Sequence, residues 1–268
     1  MRFAVEVTGF GSYANPAVVA EVAGLAEEAG WDGLFIWDHL AWAGGIPSGD
    51  PWVSLAAAAS ATTRVALGLD VSPLPRRRPH MVATAIAALD HLSQGRMIFG
   101  AGLGGSEAEF TMFGEDPDVK VRASKLDESL DILDQLWRGN RVHHLGSNYT
   151  VAGATLSPLP IQRPRPPVWI GGSAAPALRR AARWDGYTAG AIVDEHGTVT
   201  IGPDEIRRRV DLIARPDNFD VAVVGACAAG DPRLPRAYER AGATWWLECI
   251  HDRRGPLPEM LDRVRAGP

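Results

Sequence analysis

The most informative polar residues of this chain are Asp38 and His39, which directly follow the apolar segment 33–37. A continuous apolar run of this length predicts a strand buried on both faces, as in a parallel sheet. Parallel α/β folds place their chemistry at the carboxyl ends of such strands. A carboxylate beside an imidazole there predicts a hydrogen-bonded acid–base pair near a bound ring, with Trp42 available to cover one face. The alternative is structural: a helix-capping aspartate and a histidine that is satisfied within the fold.

A glycine-rich segment, Gly-Ala-Gly-Leu-Gly-Gly at 100–105, follows another apolar strand. It contains the G-x-G-x-x-G pattern, but a dinucleotide site requires a helix that opens at the glycines. A loop that carries Glu107 follows here instead, so a nicotinamide site is disfavoured. Gly102 and Gly104 are better explained as positions where a ligand approaches the backbone closely, with Glu107 at the same end of the strands.

Two further strand ends carry candidate ligand-binding residues. Asp70 ends the third apolar strand, and three arginines follow at 76–78. These arginines fit either a solvated loop or subunit contact, or the attraction of an anionic cofactor or substrate. Gly171, Gly172 and Ser173 end a later strand and precede a helix, whose free N–H groups and dipole predict a phosphate cradle. A tight turn with an ordinary serine cap is the alternative.

The composition argues against several classes of function. The net charge of -5 gives no general attraction to nucleic acid or anionic membranes, and the hydrophobic fraction of 46% is ordinary for a globular protein. No run reaches the ~18 apolar residues of a membrane span, and the amino terminus lacks a secretion signal, so we expect a soluble cytoplasmic protein. The histidines lack metal-binding spacing, and Cys227 and Cys249 are expected to be buried, reduced thiols, so no metal site is predicted.

Strands and helices alternate from the first residues onward in about eight βα units. Right-handed crossovers make such strands parallel, and the length of 268 residues suits a closed barrel of about 250 residues. We therefore predict one (β/α)8 TIM-barrel domain over residues 1–268, with a hairpin at 141–151 inserted between strands four and five. The pattern also predicts a third strand over 65–69, a long loop over 100–121 and a strand over 187–192.

Seven segments carry a resemblance to a known family, in order along the chain. They are Glu27–Gly33, Trp37–His39, Asp50–Trp52, Ala61–Val65, Pro73–Pro79, Leu89–Arg96 and Pro164–Gly172. Together they resemble the bacterial-luciferase-like flavin or deazaflavin oxidoreductases, over residues 1 to about 191. Seven matches in order are more specific than any single motif.

The resemblance implies a TIM barrel that binds FMN or the deazaflavin coenzyme F420, the two being nearly equally supported. It implies an oxidoreductase that acts on a small organic substrate, either as a monooxygenase with O2 or by hydride transfer. A homodimer is also expected. Two alternatives stay open: a non-catalytic flavin-binding relative, and a barrel enzyme that acts on a phosphorylated metabolite.

The resemblance also assigns roles to residues. His39 would be an acid–base group or hydrogen-bond donor beside the ring, oriented by Asp38. Asp70 and Val71 match a strand bulge where the family often has a non-proline cis peptide behind the ring. The implied site residues are Asp38, His39 and Glu107 for catalysis, and Asp70, Val71, Gly102, Gly104, Gly171, Gly172 and Ser173 for the cofactor.

Overall fold

The computed structural model describes residues 1–40, 45–189, 201–213 and 216–268. The strands are β1 (Arg2–Val7), β2 (Gly33–Ile36), β3 (Ala66–Pro73), β4 (Met97–Gly102), β5 (Val142–Leu145), β6 (Thr150–Ala154), β7 (Val168–Gly171), β8 (Gly186–Thr188), β9 (Asp220–Gly225) and β10 (Trp245–Ile250). The helices are α1 (Pro16–Glu28), α2 (Pro51–Ala61), α3 (Pro79–Leu92), α4 (Ala108–Thr111), α5 (Val119–Trp137), α6 (Ala175–Ala181), α7 (Pro203–Leu212), α8 (Arg233–Arg240) and α9 (Leu257–Arg265).

Eight of these strands form a closed parallel barrel, which confirms the predicted (β/α)8 fold. Around the barrel the order is β1, β2, β3, β4, β7, β8, β9, β10 and back to β1. Strands β5 and β6 pair with each other as an antiparallel hairpin outside the barrel, between β4 and β7, as the sequence predicts. Because all barrel strands are parallel, their carboxyl ends meet on one face of the molecule.

The helices begin where the sequence supplies suitable caps. Proline stands at the first position of α1, α2 and α3, where its missing N–H is not needed. The Asp50 side chain accepts hydrogen bonds from the backbone N–H groups of Trp52 and Val53, at 2.9 and 3.0 Å. These caps end the loops that follow β1, β2 and β3, so the loops on the catalytic face have defined lengths.

Aromatic side chains fill the barrel interior. The rings of Phe35 and Trp169 stack with centroids 5.1 Å apart, and Trp245 packs edge-on at 5.7 and 5.6 Å from them. Gly68 makes room for this layer, because a Cβ at that position would lie 2.5 Å from Cε1 of Phe35. The barrel is therefore a packed core, and a ligand must bind at the strand ends rather than pass through it.

Three elements differ from the sequence prediction. β3 continues to Pro73 instead of ending at Leu69, with an irregular register between Leu69 and Ser72. The predicted loop over 100–121 contains the short helix α4 and the start of α5, because the Asp118 side chain caps α5. The predicted strand over 187–192 is described only as β8, since residues 190–200 lie outside the described residues.

No helix within the described ranges is long and apolar enough to cross a membrane. In that part of the chain no group of three or more His, Cys, Asp or Glu side chains could hold a metal ion. Cys249 is buried, as expected, whereas Cys227 is only half-buried.

Candidate active site

A cavity of about 450 Å³ lies at the carboxyl ends of β2, β3, β4, β7 and β8. Its volume lies within the usual range for small-molecule sites, roughly 300–1,000 Å³. Its lining includes nine of the ten predicted site residues: Asp38, His39, Asp70, Val71, Gly102, Gly104, Gly171, Gly172 and Ser173. The structure thus brings together residues that are up to 135 positions apart, from Asp38 to Ser173. Trp42, expected to cover one face, lies outside the described residues.

Asp38 is held by arginines and not by His39, which corrects the expected Asp–His hydrogen bond. Its carboxylate accepts hydrogen bonds from Nε and Nη2 of Arg77, at 2.9 and 2.7 Å, and from the Ser72 hydroxyl at 2.6 Å. Arg76 reaches both the carboxylate and the backbone carbonyl of Asp38. Because the Asp38 side chain is fully buried, this ion-pair cluster holds the end of β2 rigidly at the cavity wall.

The same arginines settle the two alternatives for residues 76–78. Arg76 is buried and Arg77 is partly exposed, and both bind the Asp38 carboxylate, which neutralises part of their charge. Only Arg78 is exposed, at the position before α3. A basic run in a sequence cannot reveal this, because its partners come from a distant strand.

Glu109 is the carboxylate that binds His39. Nδ1 of His39 lies 2.8 Å from Oε1 of Glu109, which also accepts the backbone N–H of Leu40. The other oxygen of Glu109 pairs with Arg76. A carboxylate that already accepts these bonds is an acceptor only, so Nδ1 of His39 carries the hydrogen of this bond.

Glu107 lies apart from this arrangement. It is exposed, immediately before α4, and does not belong to the cavity lining. Two residues farther, Glu109 is 4% exposed and faces His39. Glu109 was not among the residues predicted from the sequence. The sequence feature that indicates it is its position directly before Phe110, because an acid next to a buried aromatic side chain needs a partner inside the fold.

Val71 explains two of the five glycines at the site. The Asp70–Val71 peptide bond is cis, as the family resemblance led us to expect. A Cβ on Gly102 would lie 2.5 Å from Cγ2 of Val71, and one on Gly171 would lie 2.9 Å from its Cγ1. These glycines therefore make room for the Val71 side chain, in addition to leaving the backbone open to a ligand.

Asp70 is the second buried acid of the lining, beside Asp38. Oδ2 of Asp70 accepts a hydrogen bond from the hydroxyl of Thr188, at 3.1 Å. Burial raises the pKa of Asp70, and hydrogen bonds with Glu6 and Thr188 oppose that rise. Thr188 itself was not predicted, because nothing in its short strand distinguishes it from an ordinary β-branched residue.

The segment Gly171–Ser173 lies where a phosphate cradle was predicted. Ser173 is exposed and lines the cavity, but Ala174, not Ser173, stands at the cap position of α6. Gly172 has a φ of 133°, and a Cβ there would lie 2.9 Å from that of Ala177. The backbone of this turn therefore faces the cavity without side chains over it. Phosphate binding by this turn stays a prediction.

The sequence of this chain matches a known protein family over nearly its whole length. A family model described as luciferase-like monooxygenase matches residues 2–256. The chain belongs to the luciferase-like monooxygenase family. This confirms the resemblance seen in the seven sequence segments.

Curated relatives of this luciferase-like chain include enzymes of two kinds. An F420-dependent glucose-6-phosphate dehydrogenase from Microbacterium testaceum is 36% identical over 174 residues, 63% of this chain and 51% of that protein. Limonene 1,2-monooxygenase from Rhodococcus erythropolis is 41% identical over 110 residues, 41% of this chain and 28% of that protein. The chain thus spans about half or less of the length of these relatives.

Solved structures share the whole barrel with this family member. Monooxygenase RslO1 from Streptomyces bottropensis superposes with a TM-score of 0.81 at 20% identity, covering 99% of this chain and 97% of that one. The coenzyme F420-dependent tetrahydromethanopterin reductase from Methanopyrus kandleri gives 0.79 at 18% identity, with 99% and 96% covered. At these identities the likeness shows the fold alone.

Proposed function

We propose that this protein is an oxidoreductase that binds F420 or FMN in the cavity and transfers two electrons to or from a small organic substrate. The observation that carries the proposal is His39, held by Glu109 at the wall of a cavity that is lined on its other sides by Val71 and bare glycine backbone. An acid–base group with a defined tautomer, a partly apolar cavity and accessible backbone suit a bound cofactor. The relatives named above work with F420 or carry out monooxygenation, which supports the same proposal.

The lining residues fit a flat ring that carries a phosphate-bearing tail. Apolar side chains suited to ring contact come from Trp37, Val71 and Leu103. Five glycines, Gly102, Gly104, Gly105, Gly171 and Gly172, leave backbone groups open to polar atoms of the tail. When bound, such a cofactor supplies hydride chemistry that protein side chains do not provide.

The protein itself would supply orientation and proton exchange. Asp38, Arg76 and Arg77 hold the carboxyl end of β2 in place. The hydrogen bond from Nδ1 of His39 to Glu109 stabilises one ring orientation and directs Nε2 as the site that takes or gives a proton. The apolar part of the lining excludes water from the space where the substrate would meet the cofactor.

The test is a binding titration followed by turnover. Purified protein is titrated with F420, FMN and anaerobically reduced FMN. We expect micromolar or tighter binding of at least one of them, with F420 tried first because the curated relatives with the longest matches depend on it. Absence of binding by all three would contradict the cofactor proposal, and phosphate-dependent stabilisation without flavin binding would favour the phosphorylated-metabolite alternative.

His39→Gln is the matching variant for catalysis. We expect it to bind the cofactor as the wild type does and to lose about 10²-fold or more in turnover, because a positioned acid–base group contributes roughly 10²–10⁴-fold. His143→Gln, on the exposed β5 strand, is the control and should leave both unchanged. Unchanged turnover in His39→Gln would remove this histidine from the mechanism, and binding without turnover on any substrate would favour the non-catalytic alternative.

Two further expectations from the sequence accompany this proposal. A homodimeric state is to be checked by native mass spectrometry of the purified protein. A cytoplasmic location is to be checked by cell fractionation.

A further inference from the structure

An acidic residue lies inside the barrel below the cavity. Glu6 on β1 is aligned with Phe35 on β2 and with Cys249 on β10, both of which belong to the barrel interior. Because aligned residues of parallel strands face the same side, Glu6 also points into the barrel. It is 0% exposed, and its polar neighbours are Asp70, Trp37 and Cys249, with no arginine or lysine paired with it among the described residues.

The surroundings of Glu6 cannot support a negative charge. Its titratable neighbours are Asp70 and Cys249, one acidic group and one thiol, and Trp37 is close by. Burial raises the pKa of Glu6 well above its usual value, and the charge of Asp70 raises it further. Burial raises the pKa of Tyr187 on β8, Arg209 opposes that rise, and the charges of Glu205 and Asp70 add to it.

A second buried glutamate provides the contrast. Glu248 on β10 is also 0% exposed, but it pairs with Arg254 and Arg263 and accepts a hydrogen bond from Nε1 of Trp246. Two guanidinium groups thus balance its charge, as is usual for a buried carboxylate. The environment of Glu6 has the opposite character, because an unpaired buried carboxylate is strongly unfavourable unless it takes up a proton.

We propose that Glu6 and Asp70 form a buried proton-holding site that opens to the cavity through Asp70. In this pair Glu6 is the protonated member. Asp70 is the member that both adjoins Glu6 and lines the cavity, next to Thr188. The role of the pair in donating a proton to a bound molecule rests on the proposed oxidoreductase function. The protonation of Glu6 does not depend on that function.

The proton balance of the pair is simple. Breaking the O–H bond of Glu6 and forming one on Asp70 moves the proton to the cavity side. Donation to a basic atom of a bound molecule then breaks the Asp70 O–H bond and leaves both carboxyls ionised, so the pair gains one negative charge and the bound molecule gains one positive charge. No oxidant or reductant takes part, and the reverse sequence restores the pair. Thr188 donates to Oδ2 of Asp70, so it would stabilise that charge.

Infrared spectroscopy of the protein without cofactor tests the protonation directly. At pH 7.5 we expect the C=O stretch of a protonated carboxylic acid, shifted by 13C-glutamate labelling and absent in Glu6→Gln. Glu21→Gln, exposed on α1, is the control and should keep the band. The proposal fails if the wild type lacks the band, or if the band responds to Asp70→Asn but not to glutamate labelling. Should Glu6→Gln not fold, the labelling of the wild type still decides.

Stability as a function of pH gives an independent readout. Since the pKa of Glu6 is raised in the fold from its ordinary 4.5, the folded state binds more protons than the unfolded state above that pH. The unfolding constant of the wild type should therefore rise relative to that of Glu6→Gln, by up to tenfold per pH unit from pH 4.5 upward. Parallel pH curves for the two proteins would overturn the proposal. If the protein shows the infrared band but binds neither F420 nor FMN, the proposal of a protonated Glu6 stands and the proposed oxidoreductase function is contradicted.

Discussion

Replacing Asp38 by alanine should destabilise the protein by about 3 kcal/mol. Removing one partner of a buried ion pair generally costs about 3–5 kcal/mol, because it leaves an uncompensated charge. The Asp38 side chain is fully buried and binds Arg76, Arg77 and Ser72. Arg77 is 25% exposed and can regain water, and Arg76 keeps Glu109, so the loss should lie at the lower end of that range.

Asp38→Asn separates charge from shape in the same site. The amide keeps the size of the side chain and one acceptor, so we expect a smaller loss, about 1.5–3 kcal/mol, typical of a hydrogen bond to a charged group. The measurement is urea unfolding of the wild type and both variants at pH 7. The free energies of unfolding are compared provided that the three proteins have the same slope of this free energy against urea concentration.

Asp131→Ala is the matched control. Asp131 pairs with Arg183 at 3.2 Å, but the two side chains are 51% and 60% exposed. Exposed pairs of this kind contribute roughly 0–1 kcal/mol. If Asp38→Ala lost no more stability than Asp131→Ala, the buried arginine cluster would not be what holds the end of β2, and the reasoning about the site would be refuted.

Three further changes have defined outcomes. Glu109→Gln should lower kcat about tenfold with unchanged cofactor affinity, because losing one charge-assisted hydrogen bond to His39 costs about 1.5 kcal/mol. Steady-state kinetics and a cofactor titration measure the two quantities. A change in cofactor affinity without a change in kcat would contradict this expectation. Gly102→Ala should destabilise by about 1–3 kcal/mol in urea unfolding, because its Cβ would overlap Val71; an unchanged midpoint would contradict that packing. Partial burial opposes ionisation of Glu27, but hydrogen bonds from three backbone amides before β3 lower its pKa to about 2. The contribution of ionised Glu27 to the free energy of unfolding is present above pH 4.5 and lost as the pH falls through about 2. The free energy of unfolding of Glu27→Gln should therefore fall less over that pH range than that of the wild type. Identical pH dependence of the two proteins would contradict this expectation.

The barrel and the place of the site were predictable because they depend on local patterns. Apolar runs separated by helical periods of 3.6 residues specify βα units, and right-handed crossovers make their strands parallel. Polar residues at the ends of those runs, such as His39 and Asp70, therefore had to meet at one face. The glycines after β4 and β7 also belong there, as the cavity lining shows.

The partners of those residues were not predictable in the same way. The expected bond from Asp38 to His39 is replaced by bonds to Arg77 and Glu109, since adjacent side chains at a strand end point in different directions. Glu107 was predicted because it follows the glycine-rich end of β4, and the same stretch also contains Glu109. Only the turn of α4 decides which of them is buried.

The sequence by itself determined the closed barrel, the face that carries the cavity and most of the residues around it. Only the tertiary structure decided which charges neutralise one another and which acid, Glu6, lies inside the barrel without an arginine or lysine partner among the described residues. The physical reason is range. Hydrophobic periodicity acts over neighbouring residues, whereas an ion pair or a buried proton depends on side chains that are 30 or more positions apart and on the water that folding removes between them.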